Sequence, residues 1–211
     1  MAYRFLIFDF DGTLADTLGW VAGVLPETAR RFKFRYPGPE EREQLRGLQP
    51  KEMLSRLDIP LWKMPLITAH LRKEMNRQIH SLHLFPGMKE ILEALYRSDI
   101  AMAVLSSNAE KNIRHVFGDQ TAGYFTWYRC GTSFFGKDNK LRNLLAKSGM
   151  DPHETLYIGD EIRDLQASRS VGTGFGAVTW GLNDRHALQK LAPDFLFEKP
   201  EDLLNIPTAS L

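Results

Sequence analysis

Phe5-Leu6-Ile7-Phe8-Asp9-Phe10-Asp11-Gly12-Thr13 is the stretch on which the fold turns. Its first four residues are uniformly apolar. The run is too short and too continuous for an amphipathic helix and suits a strand buried on both faces. Two acids follow at once, then Gly12, which permits backbone conformations closed to other residues.

Runs of the same kind recur at Ala101–Leu105, 124–129, 156–158, 177–180 and Phe195–Phe197. Helical periodicity lies between them, as in Met88, Ile91, Leu92, Leu95 and Tyr96, and again in Leu141, Leu144 and Leu145. Strands alternating with helices predict a parallel sheet covered on both faces, a doubly wound, Rossmann-like α/β core. One interval breaks the rhythm. A crossover between parallel strands needs about a dozen residues or somewhat more, and the helix at 87–97 supplies it. Residues 16–82 are surplus, and their pattern is helical. Leu18, Val21, Leu25, Thr28 and Phe32 trace one face, and Met64, Ile67, Leu71, Met75 and Ile79 another. Gly38-Pro39, Pro50 and Pro60 punctuate the segment, and Pro26 is expected to kink or split its first helix. The expected organisation is a core of 1–15 and 83–211 with an α-helical cap of 16–82, joined at 15–17 and 80–86.

With 211 residues, 43% of them apolar, the chain can bury a sizeable core. Lys and Arg number 27 against 26 Asp and Glu, for a net charge of +1 without tracts of one sign. That balance gives no electrostatic footprint for nucleic acid or a membrane surface. Cys130 is the single cysteine, which excludes an internal disulfide and fits a reducing compartment. Met1-Ala2-Tyr3-Arg4 runs straight into the first strand, unlike a signal peptide, so a cytoplasmic location is expected.

In open parallel sheets ligands bind beyond the carboxyl ends of the strands. Asp9 and Asp11 follow the first strand, and Ser106-Ser107-Asn108 the second. Gly159-Asp160-Glu161-Ile162-Arg163-Asp164 follows the fourth, and Lys137 precedes the helix leading into it. Acids, hydroxyl and lysine thus converge on one edge. Phosphoryl transfer needs such a set: a nucleophile, countercharge and a proton for the departing oxygen. Clustered carboxylates call for a hard divalent cation with oxygen ligands, and Mg²⁺ fits. Asp9 is then the candidate nucleophile and Asp11 the candidate acid and base. Ser106 is placed to donate to a phosphate oxygen with Asn108 beside it, and Lys137 to offset growing negative charge. Taken singly, Asp9 and Asp11 would also suit a turn, and Asp160 and Asp164 the start of a helix.

Asp9-Phe10-Asp11-Gly12-Thr13-Leu14-Ala15-Asp16 resembles the first motif of the haloacid dehalogenase superfamily. Ser106, Lys137 and Gly159-Asp160 with Asp164 match the other three motifs in order. Phe85-Pro86-Gly87, Val178-Thr179-Trp180-Gly181 and Pro193-Asp194 are similar to the branch containing phosphoglycolate phosphatases. The resemblance implies a Mg²⁺-dependent phosphomonoester hydrolase working through an aspartyl-phosphate on Asp9. Asp160, the Asp9 side chain and the Asp11 main-chain carbonyl would hold the ion, with Asp164 supporting it directly or through water. Many relatives follow the motif lysine with proline, whereas Asp138 stands here, and Lys140 is close by; Lys137 is the better match. Ser106 is preferred to Ser107.

A phosphosugar mutase shares all four motifs and is the alternative enzyme. A dehalogenase is disfavoured by the second aspartate of the Asp-x-Asp pair. A phospho-accepting receiver is shorter and carries its aspartate after a later strand, and the intact acid set argues against a catalytically silent binding protein. Arg46, in Arg46-Gly47-Leu48-Gln49-Pro50, is expected to reach a second anionic group of a small phosphorylated metabolite. A monomer or weak homodimer is expected. His80 and His83 lack further metal-ligand partners in sequence. Trp62, Trp127 and Phe134-Phe135 read as core or pocket wall, and Cys130 as a small buried hydrophobe.

Overall fold

The computed structural model describes residues 2–131 and 136–209. Phe134-Phe135 lies outside them. Six parallel strands form one sheet, in the order β3-β2-β1-β4-β5-β6: β1 (Phe5–Phe8), β2 (Ala101–Leu105), β3 (Trp127–Arg129), β4 (Thr155–Gly159), β5 (Gly174–Val178) and β6 (Phe195–Phe197). From β1 the chain builds outward to β3, then returns to lay β4 on the other side of β1. The strand order therefore reverses between β1 and β4, where Phe8 pairs with Ile158. A crevice opens beyond the strand ends at such a reversal.

Both faces of the sheet are covered, which explains the unbroken apolar runs. Leu6, Phe8, Met102, Val104, Leu156 and Ile158 point to one side, under α5 (Met88–Arg97) and α6 (Glu110–Ala122). Phe5, Ile7, Ala103, Leu105, Tyr157 and Phe175 point to the other, under α7 (Lys137–Ser148) and α8 (Ile162–Val171). Strand periodicity of two sorts one run of sequence into two cores. A short α9 (Arg185–Gln189) leads towards β6.

Four helices occupy the interval between β1 and α5: α1 (Thr17–Phe32), α2 (Pro39–Leu45), α3 (Pro50–Arg56) and α4 (Met64–Arg77). They gather around their own apolar cluster of Ala29, Phe34, Leu45, Leu54, Leu57, Ile59 and Ile67. Leu25, Phe32, Met64 and Leu71 of the anticipated faces are half-buried against it. Two short chain segments tie this helical layer to the sheet side by side: Asp16 donates to the His83 carbonyl (3.0 Å) and Phe85 to that of Leu14 (3.0 Å).

Several boundaries differ from the sequence reading. Pro26 lies inside α1 without ending it. β3 begins at Trp127, because Gly123 and Tyr124 are still closing the end of α6, with the Tyr124 amide on the Thr121 carbonyl. β5 begins at Gly174 and ends at Val178, ahead of the run at 177–180. Its glycines resemble strand breakers but are required by close packing: a Cβ on Gly176 would lie 2.6 Å from the Phe197 ring. Trp127 packs edge-on against Phe5, whereas Trp62 is 68% exposed and belongs to no core.

Leu92 has no exposed surface in the sheet core. Leu92→Ala is expected to lower unfolding free energy in urea by about 2–5 kcal/mol. Trp62→Ala should change it by no more than about 0.5 kcal/mol.

Candidate active site

The acids sit at the mouth of the β1–β4 crevice. The Asp9 amide continues the sheet ladder by donating to the Ile158 carbonyl (2.9 Å), which fixes its backbone. Its Oδ1 accepts from the Phe10 amide (2.7 Å). Phe10 then turns into the core against Phe117, and its carbonyl receives the amides of Leu14 and Ala15. The tight turn brings Gly12, at φ 75°, against Asp160: a Cβ there would lie 2.3 Å from the Asp160 carboxylate. Glycine is required on both counts.

Asp160, fully buried after β4, accepts from Thr13 Oγ1 (2.8 Å) on Oδ1 and from the Leu182 amide (2.7 Å) on Oδ2. Asp164 lies one turn into α8. Its Oδ2 caps the Glu161 amide (3.3 Å), and its Oδ1 takes the Tyr157 hydroxyl (3.1 Å) and Lys137 Nζ. One side chain thus caps the helix start and meets Lys137. Lys137, the first residue of α7 and 5% exposed, also reaches Asp9 Oδ2 at 2.5 Å. The lysine that joins two acids is thus Lys137. Lys140 stands one turn further along α7; burial, together with Lys137, Arg163, Arg129 and Arg72, brings its pKa down to about 8.

Asp11 faces β2. Ser106 Oγ donates to its Oδ2 (3.3 Å) and Asn108 Nδ2 to its Oδ1 (3.1 Å). Asn108 Nδ2 also lies 3.1 Å from Met75 Sδ of α4. Burial first, and the Asp9 charge second, push the Asp11 carboxyl up to about 6. A carboxyl raised towards neutrality suits acid–base work.

Arg46 does not turn towards these acids. Its Nε donates to the Leu182 carbonyl (3.2 Å), Nη2 to that of Gly181 (3.0 Å) and Nη1 to Glu43 (3.1 Å). Here its guanidinium contacts the core backbone and Glu43. His80 meets only His115 among the described residues, at 3.2 Å between ring nitrogens. Cys130 is half-buried, and its thiol is pushed up to about 12, chiefly by burial.

The family model described as haloacid dehalogenase-like hydrolase matches residues 6–178. The chain belongs to the haloacid dehalogenase-like hydrolases. It is 35% identical to the phosphoglycolate phosphatase of Synechococcus elongatus over 206 residues, 96% of each chain. It is 21% identical to pyrophosphatase PpaX of Oceanobacillus iheyensis, covering 98% of this chain and 97% of the relative. Its fold matches that of a haloacid dehalogenase-like hydrolase from Streptococcus pneumoniae with a TM-score of 0.79, at 19% identity and over 96% and 97% of the two chains. CbbY from Rhodobacter sphaeroides, solved in complex with xylulose-1,5-bisphosphate, matches at 0.72 and 20% identity, over 98% and 100%.

The donor set of this hydrolase fits a hard divalent cation. Asp9, Asp160 and Asp164 are buried, and one carboxylate oxygen of each lies within 4.8 Å of the others. All-oxygen donors are what Mg²⁺ selects. Thr13, Tyr157, Leu182 and Asn183 escaped the sequence reading. Only Thr13 had a signal, its place inside the first motif. No helix among the described residues is long and apolar enough to cross a membrane.

Burial is also the largest cause raising Asp160 and Asp164. A carboxyl with a higher pKa folded than unfolded takes up a proton on folding, so its stabilisation is present at low pH. That stabilisation is lost as pH rises through the folded value, about 6 for Asp11. The urea midpoint in chelator should therefore rise as pH is lowered from about 7.5 to about 5.5. Saturating Mg²⁺ should flatten this slope. A midpoint in chelator that falls over that range contradicts the assigned burial of the acids.

Proposed function

We propose that the chain is a Mg²⁺-dependent phosphatase that hydrolyses a small phosphomonoester through an aspartyl-phosphate on Asp9, with phosphoglycolate the first substrate to try. The observation that carries this reading is the pairing of Asp9, tied to Lys137 beside the other acids, with an Asp11 carboxyl held near 6 by burial and by Asp9. The 35% identity to a phosphoglycolate phosphatase over nearly the whole chain supports the substrate class.

In this mechanism an Asp9 carboxylate oxygen attacks phosphorus as the ester P–O bond breaks. The departing alkoxide takes its proton from Asp11. Water then attacks the phosphoryl group, giving a proton to Asp11 as the bond between phosphorus and the Asp9 oxygen breaks. Inorganic phosphate is released and both carboxyls return to their starting states. Lys137 pairs with Asp9 Oδ2 and would offset charge as it grows on the phosphoryl oxygens. Ser106 and Asn108 orient Asp11 and lie within reach of the same oxygens. Asp9 and Asp160, with the Asp11 carbonyl, would hold Mg²⁺, which supplies charge neutralisation for the phosphoryl group. Asp164, bonded to Lys137 and to the Glu161 amide, would support the ion directly or through water. The segment 16–82 would serve as a lid over the crevice and contact the substrate beyond its phosphate.

Asp9→Asn is expected to fold normally and to lose at least about 10⁴-fold in turnover. Asp11→Asn should lose about 10²–10⁴-fold on an alkyl phosphate but far less on p-nitrophenyl phosphate, whose leaving group needs little proton help. Equal losses on both esters would remove Asp11 from the acid role. Chelation should abolish turnover and Mg²⁺ restore it. A panel of small phosphorylated metabolites tests the substrate: kcat/KM should be highest on phosphoglycolate, and a preference elsewhere would reassign it.

A further inference from the structure

The helical layer touches the core at a place that its two chain tethers do not explain. The loop from Arg46 to Leu48, between α2 and α3, lies on the turn 181–184 that follows β5. Asn183, 2% exposed, sends both hydrogens of its side-chain amide into that loop, to the carbonyls of Arg46 (2.7 Å) and Leu48 (3.2 Å). Its Oδ1 faces the other way and accepts from the Ile162 amide (2.9 Å) at the start of α8. The Asp184 amide adds a bond to the Arg46 carbonyl (3.1 Å), and the Arg46 guanidinium returns two to Gly181 and Leu182. Backbone and side chains of both partners are interlocked.

The same turn is the cradle of Asp160. The Leu182 amide donates to Asp160 Oδ2 (2.7 Å) and the Asn183 amide to the Asp160 carbonyl (3.2 Å). Gly181 packs so closely that a Cβ would lie 2.1 Å from Asp160 Cβ. Four consecutive residues therefore hold the cap loop on one side, and three of them hold the acid on the other. The loop cannot lift without breaking these bonds or dragging the turn. Dragging the turn takes the Leu182 amide away from the carboxylate it aims.

We propose that Asn183 is a positioning residue that couples docking of the 46–48 loop to the cation affinity of Asp160. The proposal rests on the reading of Asp160 as a Mg²⁺ ligand. Partners that aim a metal-binding carboxylate typically change affinity about 10–100-fold when removed. Linkage makes the effect reciprocal: if a docked loop tightens Mg²⁺ binding, Mg²⁺ tightens the docking by the same factor. Arg46 acts here as the cap's half of the latch.

The test uses the full chain with Mg²⁺ as the only ligand. In the wild type, Mg²⁺ should slow amide hydrogen exchange in the peptide covering 43–49. Asn183→Ala should weaken Mg²⁺ binding about tenfold by titration calorimetry and abolish that Mg²⁺-dependent protection. Arg46→Met keeps the aliphatic stem and leaves the core sequence unchanged, so it carries the test even where Asn183→Ala folds poorly; it should act in the same direction. A merely structural role would lower the thermal midpoint equally with and without Mg²⁺, whereas coupling makes the loss larger with Mg²⁺. Wild-type Mg²⁺ affinity in a folded variant, or loop exchange indifferent to Mg²⁺ in a wild type that binds it, overturns the coupling. A wild type that binds no Mg²⁺ overturns the metal reading itself, and the coupling with it.

Discussion

Like charges held close together in a buried crevice repel, and the architecture around this site is the means of holding them. Asp9, Asp160 and Asp164 bring carboxylate oxygens within 4.8 Å of one another at the point where the strand order reverses. Buried charge is tolerated only when paired and hydrogen-bonded. Lys137 supplies the pairing from α7, with Asp9 and Asp164 as its two partners. The hydrogen bonds come from widely separated parts of the chain: the Phe10 amide, Thr13, Tyr157 and the Leu182 amide. The carboxylates still form an all-oxygen donor set of the kind a hard divalent cation takes.

Placement follows from the sheet. β1 and β4 are neighbours only because the chain doubles back, and that doubling puts residues 9 and 160 side by side. The two glycines at positions 12 and 181 let backbone approach Asp160 from both flanks at distances a side chain would forbid. The helical layer enters between β1 and α5, so its tethers leave directly from the acid turn, where Ala15 bridges Leu84. A layer attached there lies beside the acid turn without interrupting the sheet.

Much of this was legible in the sequence because it is local. Bounds of β1, β2 and β6 coincide with their apolar runs, since continuous burial on two faces leaves a simple signature. The acids and Lys137 were legible because each follows a strand or opens a helix at the functional edge. What was not legible depends on distant partners. Gly174 and Gly176 disguised the start of β5, because the rings that demand them belong to Tyr3 and Phe197. Trp62 read as core or pocket wall, yet it is 68% exposed. The contacts of Arg46 with the carbonyls of Gly181 and Leu182 were not legible, because those partners lie 135 and 136 residues away and leave no pattern near it.

The central claim is that phosphate passes through Asp9. Acid quench of the wild-type enzyme within its first turnovers, followed by proteolysis and fragment mass analysis, addresses it directly. The account predicts a phosphoryl group on the peptide containing Asp9, localised to that side chain and removed by hydroxylamine. A phosphoryl group on another residue, or an unmodified chain throughout steady turnover, would contradict it.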